Sequence, residues 1–296
     1  MTTVSAIAEA VESFQQAQSS HGVSGVHLEV DQERGASIVR GRVLTNKQAQ
    51  DVRELARQHS ATVDLQVAAD PASGLEEGWV EPTTEVLDLW RQPSRAGEEM
   101  GRQTQYLAAD GPLRRFGAAG DFLLVQGRDL AIGWAESAHL RDVEPTLGKT
   151  SWEAIARAVV GATREPAIVG RGLQHLLERA RAELGVPYVW GGTTHAGFDC
   201  SGLLQRVIVN TTGVLLPRHT GDQRRVGSRV VDDVRAGDLL FAAPLSQKVG
   251  HVLLMTSPET VLHACRTEHR VIEEGLAQNA RRYRHQGYRR PVNLEA

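Results

Sequence analysis

The sequence predicts three consecutive parts: a small α/β module at residues 1–72, a small β-barrel at residues 78–145 and an α+β catalytic domain at residues 150–296. Three observations support this division. Helix and strand patterns alternate in the first part, short strands separated by turns fill the second, and helices precede a run of strands in the third. The last order is typical of α+β domains, in which helices and antiparallel strands are segregated along the chain.

The composition is that of a globular chain and disfavours several classes of function. The chain has 296 residues, of which 41% are hydrophobic and 23% charged, and this length is sufficient for two or three domains. A net charge of −3 argues against nucleic acid as the main partner. The sequence has no apolar run of the length that a membrane span needs.

The N-terminus indicates the compartment, and the compartment favours free thiols over a single bridge for the two cysteines. The first residues, MTTVSAIAEAVESF, lack the basic region of a secretory signal and carry Glu9 and Glu12 within their apolar pattern. We therefore expect a cytoplasmic protein, or a periplasmic or extracellular one if a leader has been removed. Cys200 and Cys265 are too few for a disulfide framework, and both are expected to be free thiols.

The sequence of residues 1–72 predicts a helix, two strands, a second helix and a third strand, in that order. Apolar residues recur at helical spacing over residues 1–20, and a second helical pattern covers residues 45–60. Short alternating stretches predict strands at residues 26–30, 37–44 and 62–68. This layout resembles a BON-type domain.

Four short strands are predicted in the second part, with Gly, Pro and Asp between them about every ten residues. They are EVLDLWRQPS, TQYLAAD, DFLLVQG and LAIGWAESAHL, within residues 85–140. A Pro-Ser turn after the first of these strands and a Gly-Trp pair in the last resemble a bacterial SH3 (SH3b) domain. Another small β-sandwich is the alternative.

The third part predicts helices followed by an antiparallel sheet. Thr150 and Glu153 form a capping box for a helix that reaches Val160, and a second helix is expected over residues 171–184. A third helix follows Cys200, and a loop with a short helix covers residues 214–227. Strands are expected at residues 238–244, 250–257, 260–266 and 270–275.

Cys200 lies where a glycine-rich loop becomes a helix. Asp199 is a good N-cap, which makes Cys200 the first residue of the helix. Amides at a helix N-terminus favour negative charge, so we expect a lowered pKa for the thiol and an oxyanion site at the same amides. The alternative is a buried structural cysteine.

Two histidines indicate a partner for that thiol. If the strands of residues 250–265 turn near Ser257, His251 and His263 lie opposite each other with Cβ atoms about 5 Å apart. The same face then carries a further set of residues: Leu253, Met255, Val261 and Cys265. The pair is interpreted either as a hydrogen-bonded core pair or as a base, His251, with its orienting residue, His263. The second interpretation requires the Cys200 helix to cover this face.

A metal site is the rival interpretation. Cys200, His251, His263 and Cys265 are all zinc ligand types, but the His-Ala-Cys spacing is not that of common zinc modules. We therefore expect neither a metal nor another cofactor, and interpret Cys265 as a small core residue or a second thiol near the site.

Six short segments occur in the order of the NlpC/P60 cysteine peptidases. They are Pro-Tyr-Val-Trp-Gly-Gly, Phe-Asp-Cys-Ser-Gly, Leu-Pro-Arg, Gly-Asp-Leu, Gly-His-Val and His-Ala, within residues 171–284. The region resembles that family, which implies a papain-like fold and hydrolysis of bacterial cell-wall (murein) peptides. Carried over by position, the resemblance implies Cys200 as nucleophile, His251 as base, His263 as third member and Tyr188 near the oxyanion site.

A subgroup with SH3-like domains ahead of the peptidase domain is also similar. It cleaves the bond between γ-D-Glu and a diamino acid in recycled peptides with a free N-terminal L-Ala. The subgroup usually has two such domains, and residues 1–70 do not resemble one. The resemblance implies that Asp199 and Ser201 bind the substrate amine, although Asp199 also fits a cap alone.

Three further residues each have a structural and a substrate-binding interpretation. Trp190 is core or a pocket wall, Thr220 contacts the peptide or caps the next helix, and Arg218 is structural or pairs with a substrate carboxylate. An amidase or acyltransferase on the same core, or a non-catalytic cell-wall-binding protein, is the alternative function.

Overall fold

The computed structural model describes residues 3–18, 26–33, 35–43, 46–67, 78–95, 101–144, 172–245 and 250–291. The chain divides into two compact units. The first comprises Met1–Gln103, Leu107–Gly127 and Ile132–Pro145, and the second comprises Thr104–Tyr106, Arg128–Ala131 and Thr146–Ala296. The second unit thus includes short segments from the region in which the sequence predicts a β-barrel.

In the first unit, residues up to 67 form a small α/β module in the predicted order of elements. The elements are α1 (Thr3–Gln18), β1 (His27–Glu33), β2 (Ala36–Val43), α2 (Asn46–Gln58) and β3 (Thr62–Val67). β1 pairs antiparallel with β2, and β2 pairs parallel with β3 through the crossover helix α2. The BON-type resemblance stays a prediction.

The module has its own apolar core because alternate residues of β2 face the two helices. Val39 and Val43 of β2 are buried together with Ile7 and Val11 of α1 and Val52 of α2. The period of two along the strand and of about four along the helices is the pattern that the sequence shows.

The rest of the first unit is built on a seven-stranded sheet. Its strands are β4 (Gly78–Pro82), β5 (Val86–Trp90), β6 (Arg102–Leu107), β7 (Leu113–Ala119), β8 (Phe122–Gln126), β9 (Ile132–Glu136) and β10 (Leu140–Val143). The order is β10-β4-β7-β8-β9-β5-β6. Within the residues described, β10 and β6 lie at the two ends of this order, so the predicted closed barrel is not found.

Three of these strands were not predicted from the sequence. β4, β7 and β10 carry many polar residues, as in the segments GWVEP, LRRFGAA and LRDV, and their alternation is weak. The predicted Gly-Trp pair lies on β9, where a Cβ at Gly133 would come 2.8 Å from the Cβ of Leu89. Trp134 pairs across the sheet with Trp90.

The second unit contains helices followed by an antiparallel sheet, as predicted, but the sheet has six strands where four were predicted. Its elements are α3 (Leu173–Arg181), β11 (Thr193–Thr194), β12 (Gly197–Phe198), α4 (Cys200–Thr212), α5 (Thr220–Gln223), β13 (Ser228–Val230), β14 (Leu239–Pro244), β15 (His251–Ser257), β16 (Thr260–Cys265), β17 (Arg270–Gly275), α6 (Leu276–Asn279) and β18 (Tyr283–Arg290). The sheet order is β13-β18-β14-β15-β16-β17, all antiparallel. The helix predicted from Thr150 lies outside the described residues.

Helix α4 packs on one side of this sheet. Its residues Leu203 and Leu204 share a core with the even-numbered Val252, Leu254 and Leu262. The odd-numbered side chains Leu253, Met255 and Val261 pack with Tyr283 in a separate core. The prediction that the Cys200 helix covers the odd-numbered face is therefore wrong.

Candidate active site

Cys200 is the first residue of α4, as the sequence predicts. Asp199 has extended backbone angles of φ −91° and ψ 176°, and its Oδ1 accepts a hydrogen bond of 2.7 Å from the Gly202 amide. This is the geometry of an N-cap. The cap fixes the direction in which the chain enters the helix and hence the position of the Cys200 side chain.

Glycine is required two residues after the cysteine because another loop crosses the start of α4. A Cβ at Gly202 would lie 2.2 Å from the carbonyl oxygen of Gly192. The Asp199 carboxylate secures the same loop, since its Oδ2 accepts a 3.0 Å hydrogen bond from the Gly191 amide. The Phe-Asp-Cys-Ser-Gly segment therefore encodes a tight loop-to-helix junction around the thiol.

The sulfur of Cys200 lies beside β15. The Val252 amide donates a hydrogen bond to it, and the Thr220 hydroxyl lies 3.8 Å from it. Because Val252 directly follows His251, this contact places the thiol next to the start of the histidine strand. Thr220 is the first residue of α5, whose N-cap is His219. The interpretation of Thr220 as a helix cap is thus wrong.

Burial gives the thiol a raised pKa. Desolvation, followed by the negative charge of Asp199, raises the pKa of Cys200 to about 11, although the Val252 and Thr220 hydrogen bonds act in the opposite direction. The expected lowering of this pKa by the helix N-terminus is therefore wrong. In the free protein at neutral pH, the group is a protonated thiol.

The two histidines are hydrogen-bonded to each other. His251 Nε2 lies 2.8 Å from His263 Nδ1, and the rings cross at 80°. They are not directly opposite, however, because Leu254 pairs with Leu262 and an irregularity follows Met255. The register is displaced by two residues from the prediction. A displacement by two keeps every side chain on its face, so the rings still meet diagonally.

A hydrogen-bonded pair of core histidines does not describe the whole arrangement, because a carboxylate is hydrogen-bonded to the His263 ring. Glu274 Oε1 lies 3.0 Å from His263 Nε2. Tyr283 stacks on His251 with ring centroids 4.7 Å apart and planes within 12°. Sequence reasoning missed both residues. The signal for Glu274 is its parity on β17, where it pairs with Val261 on the face of His263.

Both imidazoles are neutral at neutral pH. Burial, assisted by the charges of His263 and Arg282, lowers the pKa of His251 well below its usual value. Burial also lowers the pKa of His263, against the opposing effect of the Glu274 hydrogen bond. A neutral imidazole has a ring nitrogen with a lone pair, which is the form that can accept a proton from a thiol.

Tyr188 lies close to the thiol and the capping carboxylate. Burial raises the pKa of Tyr188, and the charges of Cys200 and Asp199 raise it further, so its phenol stays a hydrogen-bond donor. Trp190 is half-buried, with the Arg266 guanidinium carbon 5.8 Å from its ring centroid. Both interpretations of Trp190, as core and as pocket wall, remain compatible with this position.

Arg218 is fully buried, and its guanidinium is used within the protein. It donates to both oxygens of Asp199 at 3.0 and 2.7 Å and to Ser201 Oγ at 2.9 Å. Its remaining contacts go to the Thr104 hydroxyl and the Gly192 carbonyl. All of its N–H groups therefore have partners. Of the two interpretations of Arg218, these contacts favour the structural one over pairing with a substrate carboxylate.

Residues far upstream in the sequence complete the support of Arg218. Besides Thr104, the Asp129 carbonyl accepts a 3.0 Å hydrogen bond from the Arg218 amide. The Asp129 carboxylate accepts another, of 3.1 Å, from Gln205 on α4. Thr104 and Asp129 belong to the same compact unit as the site. The sequence did not predict these contacts.

The metal interpretation finds no ligand set in the described part of the chain. Across these residues, no cluster of three or more His, Cys, Asp or Glu side chains could hold a metal ion. Cys265 is buried, with its sulfur 3.8 Å from the Tyr283 hydroxyl, and both cysteines are free thiols. Every helix in the described ranges is too short or too polar to cross a bilayer.

A thiol at a helix N-terminus beside a neutral histidine pair is the type of site that cysteine hydrolases use. Residues 185–290 match the model of the NlpC/P60 family, and this part of the chain is an NlpC/P60 domain. The predicted family resemblance is thereby confirmed for these residues.

Two curated relatives also match part of the chain. The gamma-D-glutamyl-L-lysine dipeptidyl-peptidase of Bacillus subtilis is 42% identical over 87 residues, which are 28% of this chain and 29% of that protein. Peptidoglycan endopeptidase RipB of Mycobacterium tuberculosis is 35% identical over 113 residues, 33% of this chain and 46% of that protein. The chain thus spans less than half of the length of either relative.

A solved structure also matches. The crystal structure of the NlpC/p60 domain of the peptidoglycan hydrolase SagA is 28% identical, with a TM-score of 0.35, over 40% of this chain and 97% of that one.

Replacing Arg218 tests its structural role. We expect Arg218→Met to lower the free energy of unfolding by about 3–5 kcal/mol, because it leaves the Asp199 carboxylate without its buried partner. The control is Arg181→Met, which removes a more exposed pair with Glu273 and should cost less than about 1 kcal/mol. Urea denaturation measures both. Equal losses would show that the Arg218 pair is not the stronger constraint.

The raised pKa of Cys200 predicts how its alkylation depends on pH. Since only the thiolate reacts, the rate of iodoacetamide labelling at Cys200 should keep rising as the pH increases from 7 towards about 11. Peptide mapping distinguishes Cys200 from Cys265, which is fully buried and should label more slowly. A plateau of the Cys200 rate near neutral pH would instead indicate a preformed thiolate–imidazolium pair.

Proposed function

We propose that the protein is a cysteine endopeptidase that hydrolyses murein peptides at the bond between γ-D-Glu and a diamino acid. The observation that carries the proposal is the hydrogen bond from the Val252 amide to the Cys200 sulfur, because Val252 directly follows His251, whose ring is hydrogen-bonded to His263. The NlpC/P60 domain and the names of the two relatives support the substrate class.

The first step is proton transfer from the thiol to His251. Its Nε2 is engaged with His263, which leaves Nδ1 as the ring nitrogen for the thiol proton. The resulting thiolate attacks the γ-carbonyl carbon of D-Glu, forming a carbon–sulfur bond and an oxyanion. Because the free thiol has a raised pKa, the protein does not store a thiolate, and the thiolate forms only as the substrate reacts.

Two donors are available for the oxyanion. The backbone N–H of Cys200 is one of the unpaired amides at the start of α4, and the protonated Tyr188 phenol is the second. The tetrahedral intermediate collapses when His251 returns its proton to the amine of the diamino acid, which leaves with the bonding electrons. A thioester to Cys200 remains.

Water completes the cycle. His251 takes a proton from a water molecule, the hydroxide attacks the thioester carbonyl, and the carbon–sulfur bond breaks. The Cys200 sulfur regains a proton, and the peptide is released with a free γ-carboxylate. An amidase or acyltransferase would differ only in the group that accepts the acyl chain.

We propose that Asp199 and Ser201 also bind the free N-terminal amine of the substrate. The Asp199 side chain is 14% exposed, and each of its oxygens already accepts from one backbone amide and from Arg218. A substrate ammonium would therefore bind as an additional charge partner. Thr220, beside the sulfur, and Trp190 are the other proposed contacts of the peptide.

Three further proposals concern the rest of the chain. We propose the division into domains at residues 1–72, 78–145 and 150–296. An SH3b-like identity of the middle part is supported by the Gly133-Trp134 pair on β9. A cytoplasmic site of action stays a prediction from the N-terminal residues.

A defined peptide tests the proposed activity. Incubation with L-Ala-γ-D-Glu-diaminopimelate should release L-Ala-D-Glu, detected by mass spectrometry, and Cys200→Ala should abolish the release because the nucleophile is lost. Cys265→Ala is the control and should retain it. Release by the Cys200→Ala variant would overturn the nucleophile assignment. A product joined to an added amine would indicate an acyltransferase.

The variant Asp199→Asn tests the amine subsite. Asparagine is also a good N-cap, so the helix start is retained while the negative charge is lost. We expect kcat/KM for the free-amine peptide to fall about tenfold relative to its N-acetylated form, as for the loss of a charged hydrogen bond. The ratio cancels any general effect on the thiol. An unchanged ratio would leave Asp199 with its capping role alone.

A further inference from the structure

Glu274 is a buried carboxylate with three partners, and one of them is His263. The side chain is 4% exposed. Oε1 accepts from His263 Nε2 at 3.0 Å and from Asn279 Nδ2 at 2.8 Å, while Oε2 is bonded to Arg282. A carboxylate buried at this depth requires such partners to remain in place.

The carboxylate is charged in the folded protein. Burial raises its pKa, but the hydrogen bonds from His263 and Asn279 outweigh burial and leave the pKa of Glu274 lowered to about 2. A charged carboxylate only accepts hydrogen bonds. His263 must therefore carry its ring proton on Nε2, and its Nδ1 presents a lone pair.

The tautomer of His251 follows from that of His263. Because His263 Nδ1 accepts, His251 must donate through Nε2, across the 2.8 Å contact. His251 Nδ1 is then the nitrogen with a lone pair, which is the form required of a base towards the Cys200 thiol. One carboxylate thus determines the tautomers of two successive rings.

We infer that Glu274 is a positioning residue of the active site, which acts through His263 to keep His251 in the tautomer that accepts the thiol proton. This inference rests on the proposed function, in which His251 is the base. Glu274 touches neither the thiol nor the substrate in this scheme, and its effect on the reaction is transmitted by the ring of His263.

Short-range structure holds Glu274 in that orientation. Helix α6 begins directly after β17 and returns Asn279 to the carboxylate. Asn279 Oδ1 accepts a 3.0 Å hydrogen bond from His285 Nε2, so its amide nitrogen must face Glu274. Every donor and acceptor in the network is therefore assigned, and the hydrogen bonds converge on Glu274 from His285 through Asn279 and from His251 through His263.

The charged and titratable groups around the histidine pair are Glu274 and Arg282, Tyr283 with Cys265, and Cys200. Of these, the Glu274 carboxylate is the anion that contacts the pair directly. Loss of its charge destabilises the imidazolium that forms when His251 accepts a proton. The acid limb of the kcat/KM profile should then move to lower pH, and the plateau should fall because the base is weaker.

The test compares Glu274→Gln with Glu273→Gln. Glu273 is the preceding residue of β17 and pairs with Arg181 at 2.8 Å, so its variant loses the same charge and also an arginine partner. We expect Glu274→Gln to lower kcat by roughly 10–100-fold with little change in KM, and to shift the acid limb downwards. Glu273→Gln should match the unmodified protein. Equal kinetics and pH profiles for both variants would overturn the inference.

Two readouts do not need turnover, and the first of them needs no variant. Long-range ¹H–¹⁵N spectra of the unmodified protein should show the proton on Nε2 of both His251 and His263 at neutral pH. A proton on Nδ1 of His263 would overturn the inference. The alkylation rate of Cys200 against pH should change in Glu274→Gln and not in Glu273→Gln, even if the murein peptide is not cleaved. Failure of the proposed substrate is thereby distinguished from failure of the Glu274 inference.

Discussion

The buried carboxylate of Asp199 is the interaction on which the site depends. It caps α4 through Gly202, holds the crossing loop through Gly191 and pairs with Arg218. Removal of Arg218 would leave a largely buried charge without its oppositely charged partner, which is costly. The arrangement therefore fixes where α4 begins, and with it the position of Cys200 relative to β15.

Burial determines how the thiol is activated. It raises the pKa of Cys200 to about 11 and lowers the pKa of His251, so both groups are neutral in the free protein. Activation then depends on geometry, since the proton must pass to a nitrogen that already carries a lone pair. The Glu274 carboxylate keeps the lone pair on that nitrogen through two successive hydrogen bonds, one with His263 and one between His263 and His251. It does so without placing a charge next to the sulfur.

Local features of the site could be predicted from the sequence, whereas long-range contacts could not. The Asp199 cap depends on neighbouring residues, and alternation along β15 and β16 correctly placed His251 and His263 on one face. Their direct opposition was predicted wrongly because the chain turns at Pro258 and Glu259, between the paired Ser257 and Thr260, and not at Ser257. The contacts that Glu274, Tyr283 and Thr104 make depend on which distant elements pack at the site. The spacing of residues in one sequence does not contain that information. The same limit applies to Arg218. Its Leu-Pro-Arg motif singles the residue out but does not predict that its side chain is buried.

The central claim is that one sulfur, beside one imidazole, attacks the γ-carbonyl of a glutamyl peptide. A mechanism-directed label tests it most directly: L-Ala-γ-D-Glu in which a vinyl sulfone replaces the scissile amide. Intact-mass and peptide-mapping spectra should show a single adduct at Cys200, with formation slowed by the unreactive parent dipeptide. An adduct at Cys265, or an active protein that this reagent leaves unlabelled, would contradict the account.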